Sequence, residues 1–339
     1  MAQIKFLVFA DLHYKKKMYP ATVSDLRAIL ARAYECGAEF VVHAGDFCNN
    51  YLGSPELVKA YLDNAEGLAV FGCYGNHELE SRDNSMSTVT PLLSNRQGEL
   101  IYGTEDGKIG DGGIGYYYTD IRGYRFIFTD TNYSIGADGE YEHNKTASWG
   151  CPKGNTRPDS LGEVQLEWLS RVVNDAADRG LSCVTVSHAS FSGVWKSSPD
   201  AERVREIFRL ANEKRPGSVI LAINGHYHTC NTAEVEGVTY FDCPAAINGI
   251  WRPEKFNPYA EADESDPVYT FDFESYDAEG NLLEAYKMPY SALSMGAQSL
   301  FYDKPAYAVV TVSEGGKPSV WVSEMNFAYG ISAPEQSSK

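Results

Sequence analysis

The sequence predicts an α/β fold organised on parallel strands, and three observations carry that prediction. Apolar runs alternate with segments of helical periodicity over much of residues 4 to 224. The runs are close to continuous, as in strands covered on both faces, where half-exposed strands would alternate. The principal runs end on short polar clusters containing Asp, Asn or His.

Ile4 to Ala10 is the first run, and it stops at Asp11. The helix expected next is capped by Thr22, buries Val23, Leu26, Ile29, Leu30, Ala33 and Tyr34, and is stopped by Gly37. Phe40-Val41-Val42 follows as a strand, and the strand–helix–strand order makes it parallel to the first. The unit repeats: Ser54-Pro55 opens a helix burying Val58, Tyr61, Leu62 and Ala65, Gly67 ends it, and Leu68 to Cys73 is the third strand. Tyr116 to Asp120 and Tyr124 to Phe128 read as a hairpin around Ile121-Arg122-Gly123. Thr131 to Asp159 is polar, rich in Gly and Pro, and long enough to act as a lid or substrate loop. Ser160-Leu161-Gly162-Glu163 has the form of a capping box, opening a helix that buries Val164, Trp168, Leu169, Val172 and Val173. Leu181 to Ser187, Asp200 to Lys214 and Ser218 to Asn224 read as strand, helix and strand, and Val235 with Val238 to Phe241 as a hairpin turning at Glu236-Gly237.

With 339 residues and 43% hydrophobic content, the chain can bury a sizeable core. Its organisation reads as a core over residues 1–245, an acidic, aromatic-rich insertion over 246–304, a closing β-hairpin of the core over 305–333 that turns at Gly315-Gly316, and a frayed tail over 334–339. The formal net charge of −17 argues against nucleic acid or an anionic membrane as the main partner. Seven dispersed cysteines without a C-x-x-C pair fit free thiols in a reducing compartment. There is no apolar stretch long enough for a membrane span, so the expected location is cytoplasmic.

The polar clusters carry the chemistry. They are Asp11-Leu12-His13, Gly45-Asp46, Gly75-Asn76-His77-Glu78, His188 and Gly225-His226-Tyr227-His228, and they hold five of the seven histidines. Beyond the carboxyl ends of parallel strands, loops converge on one crevice. The two-residue spacing within Asp11/His13 and His226/His228 would point each pair the same way along an extended backbone, and Gly75 would allow a sharp bend before Asn76 and His77. Carboxylate, imidazole and amide oxygen suit divalent Mn, Fe or Zn better than Ca or Mg. Seven candidate ligands, Asp11, His13, Asp46, Asn76, His188, His226 and His228, exceed what one ion needs and divide between two ions sharing a carboxylate.

These five blocks, in this order, resemble the calcineurin-like metallophosphoesterases. The resemblance covers roughly residues 1 to 245. It implies a four-layer α/β/β/α sandwich with a C-terminal elaboration, a feature that periodicity does not show. It also implies hydrolysis of a phosphoester, as phosphatase or phosphodiesterase, by a metal-bridging hydroxide. By the same likeness, Asp11, His13 and His228 hold one metal, Asn76, His188 and His226 the other, and Asp46 bridges them. Asn76 then also steadies the phosphoryl group, while His77 sits just outside the metals and serves the leaving group. The purple acid phosphatase branch carries a tyrosine three residues beyond the bridging aspartate; that position is Asn49 here, so a tyrosinate-bound ferric ion is not expected. The substrate would be a phosphorylated small molecule or a phosphoprotein. The competing reading is a non-catalytic binding or scaffold module that keeps the cradle, and the presence of His77 counts against it, because a binder has no use for a proton donor.

Other residues have plainer readings. His43 is assigned to the core or to the surroundings of the ligands, and His143 to a solvated loop. Cys48 and Cys73 are small buried apolar groups. Phe191, Trp195, Trp149 and Trp251 could wall a substrate cleft, though packing is the commoner role of such residues, and Glu261 to Asp266 is a solvated acidic face.

Overall fold

The computed structural model describes residues 3–13, 23–47, 61, 65, 67–79, 94–103, 115–136, 138–143, 157–250, 270–276, 282–289, 299–302, 304–325 and 327–329. The proposed caps at Thr22 and Ser54-Pro55, and Asn49, Cys48, Trp149 and Trp251, lie outside them.

The first half follows the predicted rhythm. Strand β1 (Ile4–Phe9), helix α1 (Val23–Glu35), β2 (Phe40–His43) and β3 (Ala69–Gly72) appear in that order. The three strands are parallel, with Leu7 opposite Val41 and Val41 opposite Val70. Gly37, just beyond α1, has φ 69° and stops the helix as read. Tyr34 departs from its expected burial: it is 43% exposed, with its hydroxyl donating to the Ala65 carbonyl.

β4 (Ile101–Tyr102), β5 (Tyr117–Ile121) and β6 (Tyr124–Phe128) come next. Ile121 pairs with Tyr124, so the turn is the two residues Arg122-Gly123, both at positive φ. The described parts of the polar 131–159 stretch contain strands. β7 (Tyr133–Ile135), β8 (Tyr141–His143) and β9 (Arg157–Ser160) form a small antiparallel sheet in the order β8-β7-β9. Because Ser160 pairs with Tyr133 in that sheet, the capping box does not form. Helix α2 runs from Glu163 to Asp178 with Gly162 at its cap position and no side-chain cap, and Val164, expected to be buried, faces solvent at 69% exposure.

β10 (Ser182–Ser187), α3 (Ala201–Lys214), β11 (Val219–Asn224), β12 (Asn231–Val235) and β13 (Val238–Asp242) follow. Later strands are β14 (Asn248–Ile250), β15 (Thr270–Tyr276), β16 (Leu282–Pro289), β17 (Ser299–Tyr302), β18 (Ala308–Val312), β19 (Ser319–Val322) and β20 (Phe327–Tyr329). They fall into three groups: β15 pairs with β16, β14 and β20 flank β17, and β18 carries the chain back onto β1 with β19 outside it.

Two large sheets result, β19-β18-β1-β2-β3 and β12-β13-β11-β10-β6-β5-β4, both mixed. The alternation of side chains along β6 shows how they stack. Phe126 and Phe128 join the core formed with Phe6, Phe40 and Val42 of the first sheet, whereas Ile127 joins Leu169, Val173 and Phe208 of α2 and α3. Phe126 meets Phe6 and Phe40 edge-on at 5.4 and 5.0 Å between ring centroids. With Leu26, Ile29, Leu30 and Ala33 of α1 packed on the first sheet's side, the order is helix, sheet, sheet, helix. This is the four-layer arrangement, and it places the carboxyl ends of β1, β2, β3, β10 and β11 around one crevice. Among the described residues, no helix is long and apolar enough to cross a membrane.

Candidate metal centre

The polar clusters meet where the two sheets meet. Ala10, at the end of β1, bridges Ala245, which follows β13, and the Ala246 amide donates to the Ala10 carbonyl at 2.7 Å. The His226 amide donates to both oxygens of Asp11 at 3.1 and 2.9 Å, tying the loop after β11 to the loop after β1. The His188 ring, after β10, has Nδ1 2.8 Å from the Ala44 carbonyl oxygen, the acceptor for an Nδ1–H that leaves Nε2 facing inward.

Asp11, His13, Asp46, His77, His188 and His228 are all buried, and His226 is partly so. Their ligand atoms form three overlapping groups within 4.8 Å: Asp11, His13 and His228; His13, Asp46 and His77; Asp46, His188 and His226. Nε2 of His13 and Nε2 of His228 are 2.8 Å apart, and His188 Nε2 is 3.1 Å from His226 Nδ1. Asp46 Oδ2 stands between the two ends, 3.1 Å from His188 Nε2 and 3.7 Å from His13 Nε2. The amide oxygen of Asn76, which the grouping of charged and imidazole ligands does not count, is buried without a hydrogen-bond partner. Nitrogens facing nitrogens, two buried carboxylates and an orphaned amide oxygen together form a donor set that fits divalent cations.

Electrostatics agree with that fit. Burial alone would raise the Asp46 carboxyl, but the surrounding imidazoles, His188 and His77 first, hold it well below the ordinary carboxylate range. Asp11 is likewise lowered: burial opposes the charge, and hydrogen bonds from His13 and His228 outweigh it.

The pairs converge by a route that the extended-chain argument did not foresee. Asp11, His13, Asp46, His226 and His228 all have left-handed backbone, with φ 51°, 49°, 50°, 77° and 51°. Such strain in non-glycine residues persists only where the surroundings impose it. Gly75 does not serve as a bend, since its φ is not positive; a Cβ there would lie 2.0 Å from Asp46 Oδ1, so the residue must be small to let Asp46 in. Gly225 plays the same part against Asp11, at 2.6 Å.

His77 lies against the first end of the cluster. Its amide donates to Asp46 Oδ1 at 2.9 Å, Nε2 is 3.8 Å from Asp46 Oδ2, and its ring meets His13 edge-on.

A calcineurin-like phosphoesterase family model matches residues 4–230, more than half of the chain. The chain belongs to that family. It is 34% identical over 93 residues to the DNA double-strand break repair protein Mre11 of Archaeoglobus fulgidus, a match spanning 24% of this chain and 21% of that protein. A dimetal phosphatase from Danio rerio superposes with a TM-score of 0.51 at 18% identity, over 71% of this chain and 87% of that one, a likeness of fold.

Two residues given no role from sequence, Glu78 and Asp242, brace the loops of the site, and a third, Asp130, pairs with a predicted loop residue. Glu78 Oε2 accepts from the amides of Asp46 and Gly75 at 3.0 and 2.6 Å, locking the loops after β2 and β3 together. Its place in the same tetrapeptide was the available signal. Asp242 accepts from Asn224 Nδ2 at 2.8 Å and from the Thr229 hydroxyl, bracing the segment that carries His226 and His228. Asp130 accepts from Asn132 and contacts His143 Nε2 at 2.9 Å. His143 is thus no solvated loop residue, for it is paired with a buried carboxylate and packed edge-on against Tyr133. His43 is core, with Phe9, Phe47 and Tyr61 around its ring. Phe191 is buried in the core that α2 and α3 cover, and Trp195 is partly buried against the same core.

Proposed function

We propose that the chain hydrolyses a phosphoester of a phosphorylated small molecule or phosphoprotein, using two divalent transition-metal ions, Mn, Fe or Zn. Asp11, His13 and His228 would hold one, Asn76, His188 and His226 the other, with Asp46 shared. The observation that carries the reading is the placement of Asp46 between two histidine-rich groups, together with the buried, unpartnered amide oxygen of Asn76, next in sequence to the His77 amide that donates to Asp46. When bound, the ions would supply an activated water and neutralise charge on the phosphoryl oxygens.

The chain's own residues do the rest. Asn76 orients the phosphoryl group from the end of the loop that Glu78 braces. His77, beside Asp46, gives a proton to the leaving oxygen, a transfer that an imidazole can perform near neutral pH. The buried, preorganised cradle keeps bulk water away from the reacting centre, which strengthens each of these interactions. The net charge of −17 favours a small phosphorylated substrate over a polymer such as DNA. The relative in DNA repair shares only 24% of this chain.

Generic phosphomonoesters and phosphodiesters, assayed with and without added Mn, test the proposal. Turnover is expected to fall to background when chelator strips the protein and to return when Mn is restored. Full activity in metal-free protein would overturn it.

A further inference from the structure

β9 is an outer strand of the small sheet, and its pairing with β7 is irregular. Tyr133 faces Ser160 and Ile135 faces Arg157, so three steps along β9 match two along β7. The extra residue makes a bulge, a feature that bends a strand and re-aims a side chain. Asp159 lies in that bulge with φ 66°. Eight non-glycine residues among those described have left-handed backbone; five are candidate ligands, and Arg122 and Glu236 turn hairpins. Asp159 is the remaining one.

Its carboxylate has a definite target. Oδ2 stands 3.5 Å from Nε2 of His226, while Nδ1 of the same ring faces His188 Nε2 at 3.1 Å inside the cluster. The strand bearing Asp159 is itself anchored, since the amide of Leu161 donates to Asp200 at 2.8 Å and Asp200 also accepts from Tyr141 of β8 at 3.0 Å. An imidazole that offers one nitrogen's lone pair to a cation must carry its proton on the other. A carboxylate against that second nitrogen holds both the proton and the plane of the ring. For His188 the Ala44 carbonyl does this at Nδ1; for His226 the available acceptor is Asp159, at Nε2.

We infer that Asp159 is a positioning residue for the second cation position, its carboxylate fixing His226 with Nε2 protonated and Nδ1 turned into the centre. The inference rests on the two-cation reading above. It gives β9 a role of its own, because that strand delivers a carboxylate to the back of a candidate ligand.

Calorimetric titration of chelator-stripped protein with Mn(II) tests it, with circular dichroism to verify folding. In the wild type two cations bind; a wild type that binds fewer would overturn the two-cation reading and this inference with it. Asp159→Ala is expected to weaken one position about 10- to 100-fold and to leave the other within about twofold. Asp159→Asn, which keeps an acceptor oxygen, should weaken the same position by less, and Asp159→Glu should recover part of the loss. Two positions both unchanged in Asp159→Ala, or both weakened alike, would overturn the role of Asp159 while leaving the two-cation reading intact. Should Asp159→Ala fail to fold, Asp159→Asn decides, and wild-type affinity at both positions would overturn the role.

Discussion

Arg125 and the Asp11–Asp46 pair are alike in being charged and withdrawn from solvent, yet their surroundings differ in kind. The guanidinium of Arg125 meets both oxygens of Asp120 at 2.7 and 2.8 Å, Asp175 at 2.7 Å and the Val172 carbonyl at 2.9 Å, and lies 4.0 Å over the Tyr118 ring. That cation is answered by the chain's own anions, in the planar two-pronged geometry that arginine favours. Among the described residues, the ion-pair partners of Asp11 and Asp46 are histidines and not arginine or lysine; ring nitrogens point at one another, and the Asn76 amide oxygen is left without a donor. A buried cluster that satisfies itself pins β6 to α2. The other gathers a donor set that suits a divalent cation.

Mutations at the two clusters should therefore fail differently. The largest effect is expected from Asp46→Ala, which removes the carboxylate shared by both groups: kcat should drop by about 10³ or more, roughly 4 kcal/mol of barrier, with the thermal midpoint of the metal-free protein held or raised. A variant that kept wild-type turnover would break the comparison at its base. Arg125→Met should do the reverse. It removes the buried guanidinium's hydrogen bonds to Asp120, Asp175 and the Val172 carbonyl, with Arg179 still beside both carboxylates, and should cost about 2 kcal/mol in urea unfolding, while Mn affinity stays unchanged. His77→Ala tests the edge of the centre, where a loss of about 10² in kcat with both ions retained, by elemental analysis, is the expected outcome.

The smallest effect sharpens the contrast by pH. Asp130 is buried, which raises its carboxyl, but His143 and Asn132 hold it below the ordinary carboxylate range. A depressed carboxyl contributes stability that is present above its unfolded pKa, about 4, and is lost as pH falls through the lower folded value. Urea unfolding from pH 7 down to about 3 should show that acid loss in the wild type and a shallower one in Asp130→Asn. Equal slopes would remove Asp130 from the set of self-satisfied charges.

Much of this was legible in the chain. The continuous apolar runs of β1, β2, β10 and β11 announce strands covered on both faces, and the structure brings polar residues placed after them together. What was not legible shares a cause. The Ser160 box failed because Ser160 was claimed by pairing with Tyr133, a partner distant in sequence, and Val164, expected to be buried, faces solvent. His143 was read as solvated because nothing local reveals that Asp130 waits beneath it. Asp159 carried no pattern at all; its importance comes from a bulge and a ring nitrogen of His226, well separated from it along the chain.

By itself, then, the sequence determined which side chains are available and at which strand ends, because apolar periodicity and turn chemistry act over a few residues. Only the tertiary structure decided that two sheets, not one, bring those ends together, and that left-handed backbone aims Asp11, His13, Asp46, His226 and His228 inward. The reason is that packing across the Phe6, Phe40 and Phe126 interface sets the relation between the sheets, and strained dihedrals are tolerated only once that packing and the hydrogen bonds to Glu78 and to Asp11 have fixed the loops.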